Sequence, residues 1–336
     1  MPRSEKQKEK LFRVFEILLT GSDEERGITL AQITERLAFY GISAERKSLY
    51  DDFICLEDLG FPVRRLPTRP ATYCLATRPF TLAELKLLVD AVQSSRFITE
   101  EKNRALIAKL ETFAGTRARE LSRQVYVEGR VKTENSATME NIDALHAAIA
   151  DGKTVSFAYF EYDLHKRRVR RHGGRRYLVF PKALLRSEEN YYLVAYDERE
   201  EQIKNFRVDK MIDVVREETP PSVAARELDL DPGVYSERIF SMFGGEEELV
   251  TFEVKEKRVG VIIDRFGMGE TFFRTPFGFS FSTRVMLSPT FYAWVMGFGG
   301  DIRILKPEHA VQEIRERIAA AGAAYDSLPN IKNTKE

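Results

Sequence analysis

The chain has 336 residues, which is enough for two or three domains. Its 52 Lys and Arg residues balance its 52 Asp and Glu residues, so the net charge of zero gives no sign of a strongly basic nucleic-acid-binding protein. Positions 1–10 are charged, and no apolar run is long enough to span a bilayer, which argues against a secreted or membrane protein and predicts a cytoplasmic location.

The charge is unevenly distributed along the chain. Residues 153–186 hold ten Lys or Arg against two Asp or Glu, a balance of +8. Residues 215–250 hold three Arg against nine acidic residues, a balance of −6. Segregation of this kind predicts a functional surface, or attraction between domains or subunits.

Residues 8–78 show the pattern of three helices followed by a hairpin. Thr29 and Gln32 have the spacing of a helix-capping box, and Ser43 is predicted to cap the third helix. The buried face of that helix is predicted to consist of Leu49, Phe53 and Leu56. Three helices and a hairpin are typical of a winged helix-turn-helix, a DNA-binding fold.

Residues 79–152 are predicted to be helical throughout and to act as a linker. Thr81 and Glu84 form a second capping box, and Gly152 ends the last helix. The apolar stripes are Leu82, Leu85, Val89 and Val92 on one helix and Leu106, Leu110 and Phe113 on the next. These stripes either face their own core or face a second subunit.

Residues 153–218 alternate as strands, with a hairpin turn at 187–190, and predict a small, strongly bent sheet. The acidic, proline-containing residues 219–248 are predicted to be a linker. Residues 249–326 predict the element order βαββ-αβα, with Phe279 and Phe281 alternating along one strand. The fold class is therefore a multidomain α+β protein.

Three motifs in this order resemble the WYL-domain transcriptional regulator family. Tyr191-Tyr192-Leu193 resembles the family's aromatic-Tyr-Leu triplet, with Tyr in place of the usual Trp, and the pattern Phe-Arg-apolar-Asp-basic-apolar is intact over 206–211. The run 46–53 resembles the family's recognition helix, although Asp51 departs from the common Arg. The resemblance implies a winged helix-turn-helix, an Sm-like barrel as the WYL sensor domain, and a C-terminal WCX extension.

The resemblance also implies DNA-contacting side chains on the third helix and the hairpin. These are Arg46, Lys47, Ser48, Tyr50, Arg64, Arg65 and Arg69. Arg and Lys read guanine, and Ser and Tyr contact phosphate, when such a helix enters the major groove. The alternatives are a solvated helix face with a Lys47–Asp51 pair and an exposed basic turn without a role.

The family's sensor pocket maps onto five positions, which are Tyr159, Lys182, Arg186, Tyr191 and Arg207. Arg207 is expected to anchor an anionic nucleotide or nucleic-acid fragment, or else to pair with Asp209 or Asp197. Tyr191 either stacks on a base or packs in the core, and only one of Tyr191 and Tyr192 can face a one-sided pocket. The basic run at 165–177 either lengthens this site or is a solvated loop.

No nucleophile motif, phosphate loop or metal-ligand spacing is present in the sequence, so we expect neither catalysis, cofactor nor metal. Cys55 and Cys74 are predicted to be reduced thiols. The sequence therefore favours a sequence-specific, homodimeric DNA-binding regulator that binds an operator and senses a ligand. The alternative is a nucleic-acid-binding accessory protein of a defence or repair system without a dedicated operator.

Overall fold

The computed structural model describes residues 7–121, 132–187 and 189–326. The chain divides into two compact units, Met1–Ser136 and Ala137–Glu336. The described part contains three antiparallel sheets together with helices, so the α+β class is confirmed. None of its helices combines the length and apolar character needed to cross a bilayer.

The first unit begins with three helices and a small sheet. In chain order the elements are α1 (Gln7–Gly21), β1 (Ile28–Thr29), α2 (Leu30–Phe39), α3 (Arg46–Asp58), β2 (Val63–Leu66) and β3 (Thr72–Leu75). The strands lie in the order β1-β3-β2. The predicted buried face of α3, Leu49, Phe53 and Leu56, is confirmed and packs on Leu18 and Ile33 in one core.

Of the three helix N-caps predicted at Thr29, Ser43 and Thr81, two are confirmed. The Thr29 hydroxyl accepts the Gln32 backbone N–H while the Gln32 side chain accepts the Thr29 N–H, so that capping box is confirmed, as is the one formed by Thr81 and Glu84. The predicted cap at Ser43 is wrong. Residues 42–45 are not helical, and the N-cap of α3 is Glu45, which is extended and makes no side-chain capping bond. Helix α3 therefore starts two residues later than predicted.

The rest of the first unit contains α4 (Leu82–Ser94), α5 (Glu100–Glu111) and a 3-10 segment at Thr112–Glu120. Leu85 and Val89 of the predicted stripe pack with Ala114 and Leu121, so the α4 stripe faces its own core. The prediction of continuous helix is wrong at 132–137, which is not helical, while 122–131 lie outside the described residues.

Arg78 fixes the end of the hairpin to two other parts of this unit. Its guanidinium donates to the Leu19 carbonyl at 2.9 Å, to the Phe113 carbonyl at 3.0 Å, and to the Ser22 carbonyl. Burial lowers the Arg78 pKa. Gly115 closes this junction with a φ of 62°, and a Cβ there would collide with the Ser22 carbonyl, so only glycine fits.

The second unit begins with α6 and a six-stranded sheet. The elements are α6 (Thr138–Ala150), β4 (Val155–Tyr162), β5 (Arg168–Arg170), β6 (Tyr177–Ser187), β7 (Asn190–Asp197), β8 (Gln202–Arg207) and β9 (Met211–Arg216). The order is β5-β4-β6-β7-β8, and β9 also pairs with β4, so the sheet curls into a half-barrel. Phe157, Leu193 and Phe206 fill its core against α6.

The segment predicted to be an acidic linker is packed against the outer face of this sheet. It contains two short helices, α7 (Val223–Glu227) and α8 (Pro232–Arg238). Tyr235, Ile239 and Met242 are buried against Ala183 and Val194. The acidic composition hid these apolar residues, whose burial holds the segment in place.

The C-terminal part confirms the predicted order βαββ-αβα. Its elements are β10 (Glu246–Val254), α9 (Val259–Phe266), β11 (Phe273–Thr275), β12 (Gly278–Leu287), α10 (Pro289–Met296), β13 (Ile302–Lys306) and α11 (Glu308–Asp326). The sheet order is β11-β12-β10-β13. The predicted alternation places Phe279 and Phe281 in the core, where the ring of Phe281 stacks on Phe252 with centroids 5.1 Å apart.

Candidate nucleic-acid interface and sensor cleft

The solvent face of α3 presents two cations. Arg46 and Lys47 are both exposed, with Asp51 beside them. The Arg46 guanidinium donates to the Tyr50 hydroxyl at 3.4 Å, and the hydroxyls of Tyr50 and Tyr73 are 2.8 Å apart. The bond with Tyr73, assisted by Arg46, lowers the Tyr50 pKa. Tyr50 therefore joins α3 to β3, and Arg46 and Lys47 are the groups that extend into solvent.

Two other residues of the recognition-helix motif turn toward α1. Lys10 is buried on α1, and its ammonium donates to the Ser48 hydroxyl and to the Ser48 carbonyl, the latter at 3.2 Å. The same ammonium lies 2.6 Å from the Asp52 carboxylate. Burial raises the Asp52 pKa, and Lys10 opposes that rise. Ser48 and Asp52 thus hold α3 against α1.

The β2–β3 hairpin carries the three predicted arginines. Arg64, Arg65 and Arg69 are all exposed. Arg64 donates to the Glu24 carbonyl at 2.8 Å, which ties the hairpin to the loop after α1. All seven predicted DNA-contacting residues therefore lie on α3 and the hairpin of the first unit. The five arginine and lysine side chains are exposed, whereas Ser48 and Tyr50 are half-buried and bond to Lys10 and Tyr73.

A cleft of about 1210 Å³ opens beside β8 in the second unit. It contains Tyr159 and Arg207 of the five predicted ligand positions. The other three lie elsewhere: Lys182 donates to the Leu228 carbonyl at 2.8 Å, Tyr191 packs on the sheet core, and Arg186 lines a separate, smaller cleft. Tyr192, the neighbour of Tyr191, lines the large cleft instead.

The guanidinium of Arg207 is already engaged by protein groups. Its Nε and Nη2 donate to the Asp209 carboxylate at 3.0 and 2.9 Å, and Nη2 also donates to Asn190 at 3.0 Å. Asp197 pairs with Lys204 instead, at 2.7 Å. Of the two ion pairs considered for Arg207, the structure forms the one with Asp209.

The backbone N–H of Arg207 adds a further constraint on the cleft wall, because it donates to the Tyr159 hydroxyl at 3.1 Å. Burial strongly raises the Tyr159 pKa, so this phenol stays protonated. Its own O–H has no acceptor among the described residues. Tyr159 can therefore donate a hydrogen bond to an oxygen bound in the cleft.

Four further cationic or basic side chains line the cleft, and one of them, Lys204, is the partner of Asp197. The other three are Lys210, Arg171 and His172. Burial, then the charges of Arg207 and Arg171, lower the Lys210 pKa. Within the described part of the chain no acceptor bonds to the Lys210 ammonium, whereas Arg171 lies 3.9 Å from Glu161. Crowded cations of this kind favour an anion.

The sequence contained a signal for each of these residues. Lys210 lies in the 206–211 motif, and Arg171 and His172 lie in the basic run at 165–177. The run divides in the structure, because exposed Arg176 does not line the cleft and donates instead to the Ser156 carbonyl at 2.9 Å. Which members face the cleft depends on the turn after β5, which spacing alone does not define.

Comparisons with known proteins place two domains in the second unit. Residues 140–216 match the WYL domain, and residues 246–322 match the WCX domain. No curated protein matches the sequence.

The solved structures that are similar to this chain include the following two. One is the proteasome accessory factor B/C (PafBC) of Arthrobacter aurescens, at 20% identity and a TM-score of 0.29, covering 97% of this chain and 51% of that chain. The present chain thus spans about half the length of that protein. The other is a CRISPR Cas-related protein, at 11% identity and a TM-score of 0.37, covering 73% of this chain and 81% of that chain.

Proposed function

Because this chain belongs to the WYL-domain family and carries a WCX domain after the WYL domain, we propose that it is a sequence-specific DNA-binding transcriptional regulator. Its WYL domain would sense a nucleotide or nucleic-acid ligand. The proposed domains are a winged helix-turn-helix at 8–78, a helical linker at 79–152, an Sm-like WYL barrel at 153–218, and a WCX domain at 249–326.

One observation carries the DNA-binding proposal. Arg46 and Lys47 are exposed on α3, in the same unit as a hairpin that presents three exposed arginines. Three helices followed by a β2–β3 hairpin support the winged helix-turn-helix, with α3 as the recognition helix and the hairpin as the wing. Since Ser48 and Tyr50 bond internally, base reading would rest on Arg46 and Lys47.

Alanine at Arg46 or Lys47 is expected to weaken operator binding by about 1–3 kcal/mol each if the side chain contacts a base. The operator would first be recovered by sequencing genomic DNA that the purified protein retains. Affinities would be measured by fluorescence anisotropy at several salt concentrations, with exposed Lys109 on α5 changed to alanine as the control.

Two results would contradict this assignment. A folded Arg46→Ala, Lys47→Ala double variant with unchanged operator affinity would remove α3 as the reading element. Binding to single strands with no enriched duplex site would favour an accessory protein of a defence or repair system. Equal weakening on all sequences, with a flatter salt dependence, would assign the two side chains to phosphate contacts.

We also propose that the regulator acts as a homodimer on a two-fold symmetric site. One short recognition helix reads too few base pairs for useful specificity, and a second copy supplies the remainder. The inward packing of Leu85 and Val89 leaves Leu87 and Leu88 exposed on α4. Light scattering at micromolar concentration is expected to give twice the mass of one chain, and a single-chain mass with and without DNA would contradict this.

The sensor proposal rests on the cations of the large cleft. We expect an anionic ligand to bind near Lys210 and Arg171, with the Tyr159 hydroxyl as a neutral donor and Tyr192 as an aromatic wall. Lys210→Gln is expected to weaken binding of short single-stranded DNA or nucleotides by about tenfold or more, since a charged hydrogen bond is lost.

A matched control for Lys210 lies in the same basic region. Arg167 is exposed, pairs with Asp163 at 2.9 Å, and does not line the cleft. Arg167→Gln should therefore leave calorimetric affinity unchanged. If Lys210→Gln and Arg167→Gln behave alike, the ligand does not depend on the cleft cations.

A further inference from the structure

A second cleft, of about 460 Å³, lies between the end of the WYL sheet and the WCX helices. Its wall combines Arg186 and Ser187 at the end of β6, Ser236 and Ser241 from the packed 219–248 segment, and Arg265 and Trp294 from α9 and α10. It touches the sensor cleft only at Ser241 and Met242. Its volume is in the range of small-molecule sites.

The polar groups of this cleft are suited to an anion. It has two guanidinium groups and three serine residues, and its described lining residues include no carboxylate. The Ser236 hydroxyl already donates to the Gly233 carbonyl at 2.7 Å, so it is not counted among the donors. Guanidinium and hydroxyl groups can all donate hydrogen bonds to phosphate oxygens. The sensor cleft differs, because Glu161 and Glu200 lie among its cations.

Arg265 is the best-positioned of these donors. Its guanidinium lies over the Phe240 ring, 4.1 Å from the centroid, and Nη2 donates to the Ile239 carbonyl at 2.6 Å. Stacking and this bond fix the plane of the guanidinium without using its other N–H groups, for which the described residues provide no acceptor.

Arg265 also has no counter-ion among the residues that the structure describes. No carboxylate in the described ranges forms an ion pair with it, and burial lowers its pKa. Its pKa stays far above neutrality in any case, so the group remains a cation in a partly dehydrated position. Such a position is unfavourable unless an anion compensates it.

We propose that this cleft is a second ligand site, which binds a phosphate group or a small phosphate ester through Arg265 and Arg186. Arg265 is the fixed anchor, Arg186 adds the second cation from the WYL sheet, and the Ser187 hydroxyl adds a neutral donor. A ligand here would bridge the WYL and WCX domains. This site does not depend on the proposed DNA binding or on the ligand of the sensor cleft.

Trp294 gives a direct reporter, because it lines this cleft, does not line the sensor cleft, and is the only tryptophan of the chain. The full-length protein would be titrated with sodium phosphate, ribose 5-phosphate and adenosine 5′-monophosphate while its tryptophan fluorescence is recorded. A saturable change with at least one probe is expected. Tighter binding of inorganic phosphate than of both esters would identify the free ion, and the reverse order an ester.

Variants separate this cleft from its neighbour. Arg265→Gln is expected to weaken binding by about ten- to hundredfold, since bonds to a charged group are lost. Arg186→Gln, at an exposed position, should also weaken phosphate binding. This variant tests the proposal even if Arg265→Gln does not fold. The control Arg274→Gln, 89% exposed and outside the cleft, should leave the titration unchanged.

Two outcomes would overturn the proposal. One is the absence of a saturable fluorescence change with all three probes. The other is loss of binding in Lys210→Gln with full binding in both Arg265→Gln and Arg186→Gln, which would place the phosphate in the sensor cleft. Neither outcome bears on operator binding through α3.

Discussion

Replacing Arg207 by alanine is expected to lower the free energy of unfolding by about 2–3 kcal/mol, and to do so before any ligand is considered. The change removes both bonds from the Arg207 guanidinium to Asp209, whose side chain is 9% exposed, and takes away the positive charge beside that carboxylate. We expect a smaller loss of unfolding free energy than for a fully buried ion pair, because the Arg207 side chain is 35% exposed and partly screened by water.

A second variant separates the ion pair from ligand binding. Arg207→Ala combined with Asp209→Asn also removes the carboxylate charge that Arg207 compensates, and is expected to recover most of the lost stability in urea unfolding. Ligand affinity measured in this folded double variant then reports whether Arg207 also contacts the ligand. Wild-type stability of the single Arg207→Ala variant would show that the Asp209 pair contributes nothing to folding.

Replacing Lys10 by methionine is expected to destabilise the first unit by about 3 kcal/mol and to reduce operator affinity at the same time. Methionine fills similar volume, but the Asp52 carboxylate loses its ion pair and Ser48 loses its donor. Since these contacts hold α3 on α1, the recognition helix would lose a fixed position. Lys8→Met, at an exposed position of the same helix, should change neither quantity.

The Lys10→Met defect has a defined pH dependence. Burial already raises the folded-state pKa of Asp52, and removing Lys10 takes away the interaction that opposes this rise. A carboxyl whose pKa is higher in the folded state costs stability above that pKa, and the cost disappears as the pH falls through it. The stability gap to wild type should therefore narrow in mildly acidic buffer, and a gap that widens on acidification would contradict the burial of Asp52.

The sequence predicted correctly those features that depend only on residues close together in the chain. The capping boxes at Thr29 and Thr81 formed because each needs only four consecutive residues. The alternation of Phe279 and Phe281 was likewise readable, since a strand with one buried face has a period of two. The prediction of a cap at Ser43 failed because a capping side chain is not sufficient when the residues that follow it, up to Glu45, are not helical.

The sensor cleft was only partly predictable because its faces depend on distant parts of the chain. Tyr191 and Tyr192 differ by one position, and the choice between them depends on the core inside the sheet and on the 219–248 segment packed outside it. That segment also contains Leu228, whose carbonyl accepts a hydrogen bond from the Lys182 ammonium, and Lys182 does not line the cleft. Its acidic composition gave no sign of either contact.

The recognition-helix motif illustrates a different difficulty. Ser48, Tyr50 and Asp52 resemble a family pattern for DNA contact, yet their side chains bond to Lys10 and Tyr73. A sequence motif on a helix can include residues that pack the helix against its own domain as well as residues that contact DNA. Exposure in the structure then separates Arg46 and Lys47 from the others.

The three carbonyls held by Arg78 determine where this protein can be cut. A fragment that stops at residue 78 would contain the guanidinium and the carbonyls of Leu19 and Ser22 but would lack Phe113, and it would expose the surface that 112–120 covers. The shortest piece able to fold with α3 in place should therefore extend to about residue 121. For the same reason, a displacement of the 3-10 segment would act on the end of the hairpin directly, since Arg78 bonds to the Phe113 carbonyl.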